Sequence, residues 1–176
     1  RTIGSGVEFI ILDGGSVTFT EFASSNGNGN VVIMPGGTMN INGSKGAMIG
    51  ASNSFYCLGT MNVPNSTLDA QNGDGSIFYI GPEGIINAKD IKIHNDKTYI
   101  ENHGQILVKT WSKGGGAATV YNMCLIQAET SIDFTDIGGL FMDGGIVIAP
   151  QVIAKTTPIE LRNGAMLKCD KFTTEG

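Results

Sequence analysis

The chain has 176 residues, of which 41% are hydrophobic and 15% are charged, with 26 glycines and 5 prolines. This length predicts one domain over residues 1–176, and the composition excludes a disordered or collagen-like chain. The formal net charge of -5 disfavours nucleic acid as a partner, because neutralising phosphates requires clustered Lys and Arg. The longest apolar run, residues 146–154, is interrupted by Pro150 and is far too short for a membrane span.

A short phrase anchored on a glycine recurs along the chain. In its first instance an apolar patch at residues 9–12 precedes Gly15 and the segment SVTF. TMNI follows Gly37, TMNV follows Gly59, and related segments follow the later anchors. Most anchors are separated by about 20 to 26 residues, which is typical of one turn of a parallel β-solenoid. The anchors in chain order are Gly15, Gly37, Gly59, Gly84, Gly104, Thr130, Gly145 and Gly164.

The residues after these anchors alternate between apolar and polar, which indicates a strand with one buried face. The predicted fold is therefore an all-β, right-handed parallel β-helix of about seven to eight coils of roughly 22 residues. Glycine suits each corner because it accepts positive φ. A β-sandwich also contains short strands, but it has no reason to repeat a corner glycine in register. The predicted inward pairs are Val17/Phe19, Met39/Ile41, Met61/Val63, Ile86/Ala88, Ile106/Val108 and Ile132/Phe134.

Side chains that share a position in successive coils are expected to form ladders. Asn40, Asn62 and Asn87 share an outward position and predict a ladder of amide hydrogen bonds. Tyr79, Tyr99 and Tyr121 recur at similar spacing and predict a stack of rings, for which a core or corner position is the favoured interpretation. Loop composition at residues 24–30, 71–76 and 112–118 makes these corners the natural places for a binding surface.

The candidate ligand-binding residues are Trp111 and its two basic neighbours, Lys109 and Lys113. Trp111 lies just before a glycine-rich loop, where an exposed indole would offer a flat apolar platform to a sugar.

Catalytic and metal-binding patterns are weak. The acid pairs Asp69/Asp74, Asp90/Asp96 and Asp133/Asp136 lack the adjacent acidic cluster of β-helical glycosidases, which need two positioned carboxylates. His103 in NHG fits a corner turn better than catalysis, and residues 69–75 fail the calcium-loop pattern. We therefore expect no metal, no cofactor and no enzymatic activity.

The three cysteines are not expected to pair. On the predicted register Cys57 and Cys124 lie three coils apart, about 14 Å, whereas a disulfide needs Cα atoms within about 7 Å. Cys124 and Cys169 are about two coils apart. All three cysteines are expected to act as small buried hydrophobic residues.

Parts of the second half resemble a known family. The segments at residues 100–126, 140–145 and 159–172, including the NHG corner and the strand YNMCLI, are similar to the solenoid region of Bacteroidetes surface proteins of the LruC-domain type. The resemblance implies a right-handed β-helix of a secreted or lipid-anchored adhesin, held at the outer membrane through a leader. It brings no functional residues with it, and the acidic C-terminal domain of that family has no counterpart here.

Two functional hypotheses follow. In the first, the chain is a non-catalytic structural or adhesion module of the cell surface, a piece of a longer protein that makes weak contacts with glycan or protein. In the second, it is a carbohydrate-active β-helix, a polysaccharide lyase or glycoside hydrolase, with its acids scattered over neighbouring coils. The sequence leaves the ligand, the anchoring mode and the oligomeric state open.

Overall fold

The computed structural model describes residues 2–24, 29–50, 53–70, 77–94, 98–115 and 117–174, and all regular elements in these ranges are β-strands. In these ranges no helix has the length and apolar character that a membrane span requires. The first ten strands are β1 (Thr2–Ile3), β2 (Phe9–Ile11), β3 (Ser16–Phe19), β4 (Phe22–Ser24), β5 (Asn30–Ile33), β6 (Thr38–Ile41), β7 (Ala47–Ile49), β8 (Ser54–Cys57), β9 (Thr60–Ala70) and β10 (Ile77–Ile80). The remaining strands are β11 (Ile85–Ile93), β12 (Tyr99–Asn102), β13 (Gln105–Trp111), β14 (Thr119–Asn122), β15 (Leu125–Asp133), β16 (Gly139–Asp143), β17 (Ile146–Ile148), β18 (Gln151–Ile153), β19 (Ile159–Arg162), β20 (Met166–Lys168) and β21 (Lys171–Thr173).

These strands form two parallel sheets that wrap around one core. An eight-stranded sheet contains β2, β5, β8, β10, β12, β14, β16 and β19 in that spatial order. A thirteen-stranded sheet has two arms. The first arm contains β3, β6, β17 and β20, and the second arm contains β1, β4, β7, β18 and β21. The long strands β9, β11, β13 and β15 run through both arms. The chain visits the eight-stranded sheet, then the first arm, then the second arm, and repeats. The result is a β-solenoid of about 7 turns of about 21 residues, which confirms the predicted parallel solenoid.

The core consists of columns of equivalent inward side chains. In the first arm, Val17 pairs with Met39, which pairs with Met61, and the column continues through Ile86 to Ile106 as predicted. From Met39 onward these side chains are buried. Each such side chain contributes about 1.5–3 kcal/mol by leaving water, so the column is a main source of stability.

The prediction for the sixth coil assigned the wrong residues to the first-arm column. Ile126 rather than Ile132 continues the first-arm column, because Ile106 pairs with Ile126. Ile132 instead pairs with Trp111 on the second arm, so Thr130 is not a corner. The error arose because the corner of this coil, at Met123 and Cys124, contains no glycine to mark it.

The reason for glycine at the corners also differs from the prediction. Positive φ occurs at Gly14 and Gly36, one residue before the anchors Gly15 and Gly37. The anchors themselves are tightly enclosed: a Cβ on Gly37 would lie 3.0 Å from two carbonyl oxygens, those of Leu12 and Met34. One corner glycine therefore provides a left-handed turn, and the next allows close backbone approach between coils.

The predicted amide ladder is confirmed. Asn62 Nδ2 donates to Asn40 Oδ1 at 2.8 Å, and Asn87 Nδ2 donates to Asn62 Oδ1 at 2.9 Å. A second amide pair, not predicted, is fully buried: Asn102 Nδ2 donates to Asn122 Oδ1 at 2.7 Å. Such bonds hold successive coils in register, because a shift by one residue would break them all.

Replacing the central amide tests this ladder. We expect Asn62→Ala to lower the free energy of unfolding by about 1–2 kcal/mol, because it removes two side-chain hydrogen bonds worth roughly 1 kcal/mol each. Thr18→Ala is the matched control, since Thr18 occupies the same column and is exposed in the first coil. Denaturant unfolding measures both variants. Equal stability of Asn62→Ala and Thr18→Ala would contradict a stabilising ladder.

Candidate functional site

The outer surface of the eight-stranded sheet carries a row of aromatic side chains. On β8, β10 and β14 the second and fourth residues enter the core, so the third points outward. The third residues are Tyr56, Tyr79 and Tyr121, and all three are partly exposed. Phe141 takes the same position on β16, and Tyr99 lies one step to the side on β12. We call Tyr56, Tyr79, Tyr99, Tyr121 and Phe141 the aromatic face.

These rings contact one another along the solenoid. Tyr121 stacks on Phe141, with ring centroids 5.4 Å apart, and on Tyr99 at 6.3 Å. At the other end of the face, Tyr56 and Tyr79 have centroids 6.3 Å apart. Contacts of this kind contribute about 0.5–1.5 kcal/mol each and hold the rings in place. The aromatic face is therefore a fixed surface.

The favoured interpretation of the tyrosines as a core or corner stack was wrong. Tyr99 is 45% exposed, and Tyr79 lies on the outward side of its strand. The single ladder was also wrong, because Tyr79 pairs with Glu101 rather than with Tyr99. The signal was present in the sequence: in SFYC, IFYI and TVYN the alternation that buries the second and fourth residues leaves the tyrosine outside.

Glu101 and His103 interrupt the row of rings. Glu101 sits between Tyr79 and Tyr121 in the outward column. Its Oε1 atom lies 2.7 Å from His103 Nε2, and the imidazole ring packs 5.4 Å from that of Tyr79. His103 lies in a bend, as expected for a corner turn. The pair places hydrogen-bonding groups in the middle of an otherwise apolar surface.

A pocket of about 330 Å³ opens at one end of the aromatic face. Arg162 Nε donates to Glu160 Oε1 at 2.5 Å, and Asn163 Nδ2 donates to Asp143 Oδ1. The guanidinium of Arg162 remains largely exposed. Apolar rings on one side and paired polar groups on the other are the kind of lining that small-molecule sites have. We call it the aromatic pocket; its lining includes Tyr121, Met123, Phe141, Asp143, Glu160 and Arg162.

A second open groove, of about 500 Å³, follows the bend in the thirteen-stranded sheet. It is lined by Pro64, Lys89, Leu107, Lys109 and Glu129, among others. The strands change direction here, and their register shifts between Ala88 and Asp90 and between Val108 and Thr110. Lys109 is exposed and lines this groove. Of the three predicted ligand-binding residues, Trp111, Lys109 and Lys113, it alone lines a groove or pocket in the described part of the chain.

Trp111 does not form an exposed platform, and that prediction was wrong. Its side chain is 1% exposed and packs edge-on against Phe134, with centroids 5.3 Å apart. Trp111 pairs with Ile91 on one side and Ile132 on the other, both inward positions. Regular alternation would place Lys109, two residues earlier, on the same side as Trp111. The irregularity between Val108 and Thr110 breaks that alternation and leaves Lys109 exposed. Trp111 and Lys109 therefore do not form one site.

Lys113 is exposed and already has a partner. Its Nζ atom lies 2.6 Å from Asp136 Oδ2, and Thr156 Oγ1 donates to Asp136 Oδ1 at 2.5 Å. The Lys113 ammonium, followed by the Thr156 hydroxyl, holds the pKa of Asp136 below its usual range. The same ion pair raises the pKa of Lys113. Lys113 thus joins neighbouring coils and is separate from the aromatic face.

Removing this ammonium tests the ion pair. We expect Lys113→Ala to raise the pKa of Asp136 towards its ordinary value, as followed by NMR of the side-chain carboxyl carbon. Because the folded-state pKa is lowered, the pair stabilises the fold above the ordinary carboxyl pKa and is lost as pH falls through the folded value. Glu21, whose pKa Lys45 lowers in the same way, is the control and should not change. An unchanged Asp136 would contradict the assignment.

The other predicted acids and histidines do not converge in the described structure. Asp90 accepts hydrogen bonds from the backbone and hydroxyl of Ser112 at 3.0 and 2.8 Å, and Asp69 lies 3.4 Å from His94. The described residues contain no group of three or more His, Cys, Asp or Glu that could hold a metal ion. Asp74, Asp96, the loop at residues 71–76 and most of the loop at residues 24–30 lie outside the described residues.

The three cysteines are free, and they differ in exposure. Cys57 is buried, and burial raises its pKa to about 12, which keeps the thiol protonated and unreactive. Cys124 and Cys169 are partly exposed, so the prediction that all three are buried holds only for Cys57. Cys124 lies at the corner that lacks a glycine.

Comparison with protein-family models, with curated proteins and with solved structures finds no match to this chain.

Proposed function

We propose that the chain is a non-catalytic adhesion module of the cell surface, a rigid rod that presents the aromatic face to a partner glycan or protein. The observation that carries this proposal is the row of partly exposed rings on the outer side of the eight-stranded sheet. Soluble proteins seldom leave contiguous apolar surface exposed unless it takes part in binding.

The construction of the solenoid supports such a role. Parallel pairing links every described coil to its neighbours in both sheets, and amide ladders add side-chain bonds between coils. A stack of coils at about 4.8 Å spacing keeps outward side chains at fixed intervals. Rigid display of this kind lowers the entropy lost on binding an extended partner.

Two measurements test the adhesion role. Antibody labelling of intact cells that produce the full-length protein should succeed without permeabilisation. Beads coated with the chain should be captured by a cell or matrix surface, and Tyr79→Ala should reduce capture severalfold. Ile146→Ala is the matched control, because Ile146 is also an outward apolar residue, but it lies on the other sheet and outside the described grooves. Labelling only after permeabilisation, or equal loss with both variants, would contradict the proposal.

A carbohydrate-active enzyme is the second candidate, and the groove at the sheet bend favours it. Lys109 and Glu129 line this groove together, so two groups able to exchange protons lie beside a bound chain. Incubation with uncharged and uronate-containing polysaccharides, followed by reducing-end assays, tests for cleavage. Cleavage that Lys109→Ala abolishes without unfolding the chain would establish the enzyme and overturn the non-catalytic role.

A further inference from the structure

We propose that the aromatic pocket, with the adjoining aromatic face, binds a neutral polysaccharide built from hexose units. This inference rests on the proposed adhesion role and names its ligand. The pocket lies where three successive coils, β14, β16 and β19, place outward residues side by side. Tyr121, Phe141 and Glu160 form one column of these residues, and Asp143 pairs with Arg162 in the next.

The apolar side of the pocket suits the carbon-bound hydrogens of a sugar ring. Tyr121 and Phe141 stack at 5.4 Å with an angle of 22° between their planes, so they offer one continuous aromatic patch. Met123 extends this patch at the corner of the coil. A pyranose ring has apolar faces and a polar rim, so a patch bordered by polar groups matches both of its parts.

The polar side supplies donors and acceptors in fixed positions. Glu160 holds the Arg162 guanidinium in place, and Asn163 holds the Asp143 carboxylate. A guanidinium and two carboxylates that are already paired keep free lone pairs and N–H groups for hydroxyls. Neighbouring hydroxyls of a hexose can therefore accept from Arg162 and donate to Asp143 or Glu160.

The charge of the pocket selects against ionic ligands. The pocket contains two carboxylates, those of Asp143 and Glu160, and one guanidinium, that of Arg162. Its net negative charge therefore repels sulfated or uronate polymers. A cationic ligand gains little, because Arg162 already neutralises Glu160 and leaves only the Asp143 carboxylate, which accepts from Asn163, to attract it. An uncharged polyhydroxyl ligand avoids both penalties.

The shape of the face favours a polymer over a second copy of the chain. Eight strands spaced about 4.8 Å apart give a face about 34 Å long, and four-residue strands make it about 13 Å wide. Two such faces would bury only about 900 Å², below the roughly 1,200 Å² of a stable interface. A glycan chain can run along the whole row from the pocket past Glu101 towards Tyr56.

Affinity electrophoresis of the chain in gels containing mannan, β-glucan or dextran tests the proposal. We expect at least one of these neutral polymers to slow the chain, and Tyr121→Ala to weaken that binding about tenfold. Arg162→Gln, at an exposed position, is a second variant that should weaken binding without affecting folding. Ile146→Ala, at an exposed apolar position on the other sheet, is the control and should bind as the parent chain does.

Several outcomes would overturn the proposal. These are retardation by dextran sulfate but by no neutral polymer, binding to polylysine alone, or a dimer in sedimentation that Tyr121→Ala disrupts while no glycan binds. Bead capture that persists without any glycan binding would contradict the proposed ligand but not the adhesion role.

Glycan binding by a protein that antibodies cannot reach on intact cells would contradict the adhesion role but not the proposed ligand. The two proposals can therefore fail separately.

Discussion

Trp111→Ala is expected to lower the free energy of unfolding by about 3–5 kcal/mol, the usual cost of deleting a buried tryptophan. The indole is 1% exposed and fills the second arm between Ile91 and Ile132, so its removal leaves a cavity that rigid neighbouring coils cannot close. Its edge contact with Phe134 would be lost as well. Denaturant unfolding followed by circular dichroism measures the change.

Lys109→Ala is the matched control for this variant. Lys109 lies two residues earlier on the same strand and is exposed, so we expect a change within about 0.5 kcal/mol. If Trp111→Ala keeps the parental stability but loses polysaccharide binding, the indole belongs to a binding site and its core position is contradicted. If the two variants are equally stable, the packing argument fails.

Gly104→Ala is expected to destabilise the chain by about 3 kcal/mol or more, because the corner has no space for a methyl group. A Cβ at this position would overlap the carbonyl oxygens of Gly81 and Gly84 and lie 2.9 Å from Ile80 Cγ2. The two oxygens belong to the previous coil, and that of Gly84 accepts a hydrogen bond from Gln105 N at 2.9 Å. Relief of the overlap would therefore separate two coils.

Gly14→Ala is a glycine control with a different physical cost. Gly14 has φ of +68°, and a Cβ there would meet nothing within 4 Å. We expect a loss of about 1–2 kcal/mol, from the left-handed conformation alone. Thermal and denaturant unfolding should show a clearly lower stability for Gly104→Ala than for Gly14→Ala. The reverse order would show that φ, rather than the spacing of the coils, selects glycine at the corners.

The repeat was readable because burial imposes the same alternation on every coil. Met39, Met61, Ile86 and Ile106 were predicted to share a column and do so. The amide ladder followed from the same register. The prediction failed at Thr130, where the local pattern SIDF resembles a post-corner segment. Only the pairing of Ile106 with Ile126 distinguishes the first arm from the second.

The candidate site was harder to predict from the sequence than the fold. Exposure of Trp111 was inferred from the glycine-rich loop that follows it, but proximity in sequence to a loop does not decide which side of a strand a residue occupies. The outward tyrosines obeyed the alternation rule, which was applied only to the segments after each glycine. The aromatic pocket was not predicted, because its residues come from three coils, and neither Phe141 nor Arg162 is unusual in its own segment.

The sequence by itself determined the solenoid, its coil length and most of its inward columns, because period-two alternation and a repeated corner are local consequences of burying one face of each strand. Only the tertiary structure decided which aromatic residues face outward together, which corner glycines are enclosed by backbone, and how β14, β16 and β19 assemble a pocket. The physical reason is that these features depend on the exact pairing of residues about 20 positions apart. A shift of a single residue in that pairing exchanges the inner and outer sides of a strand.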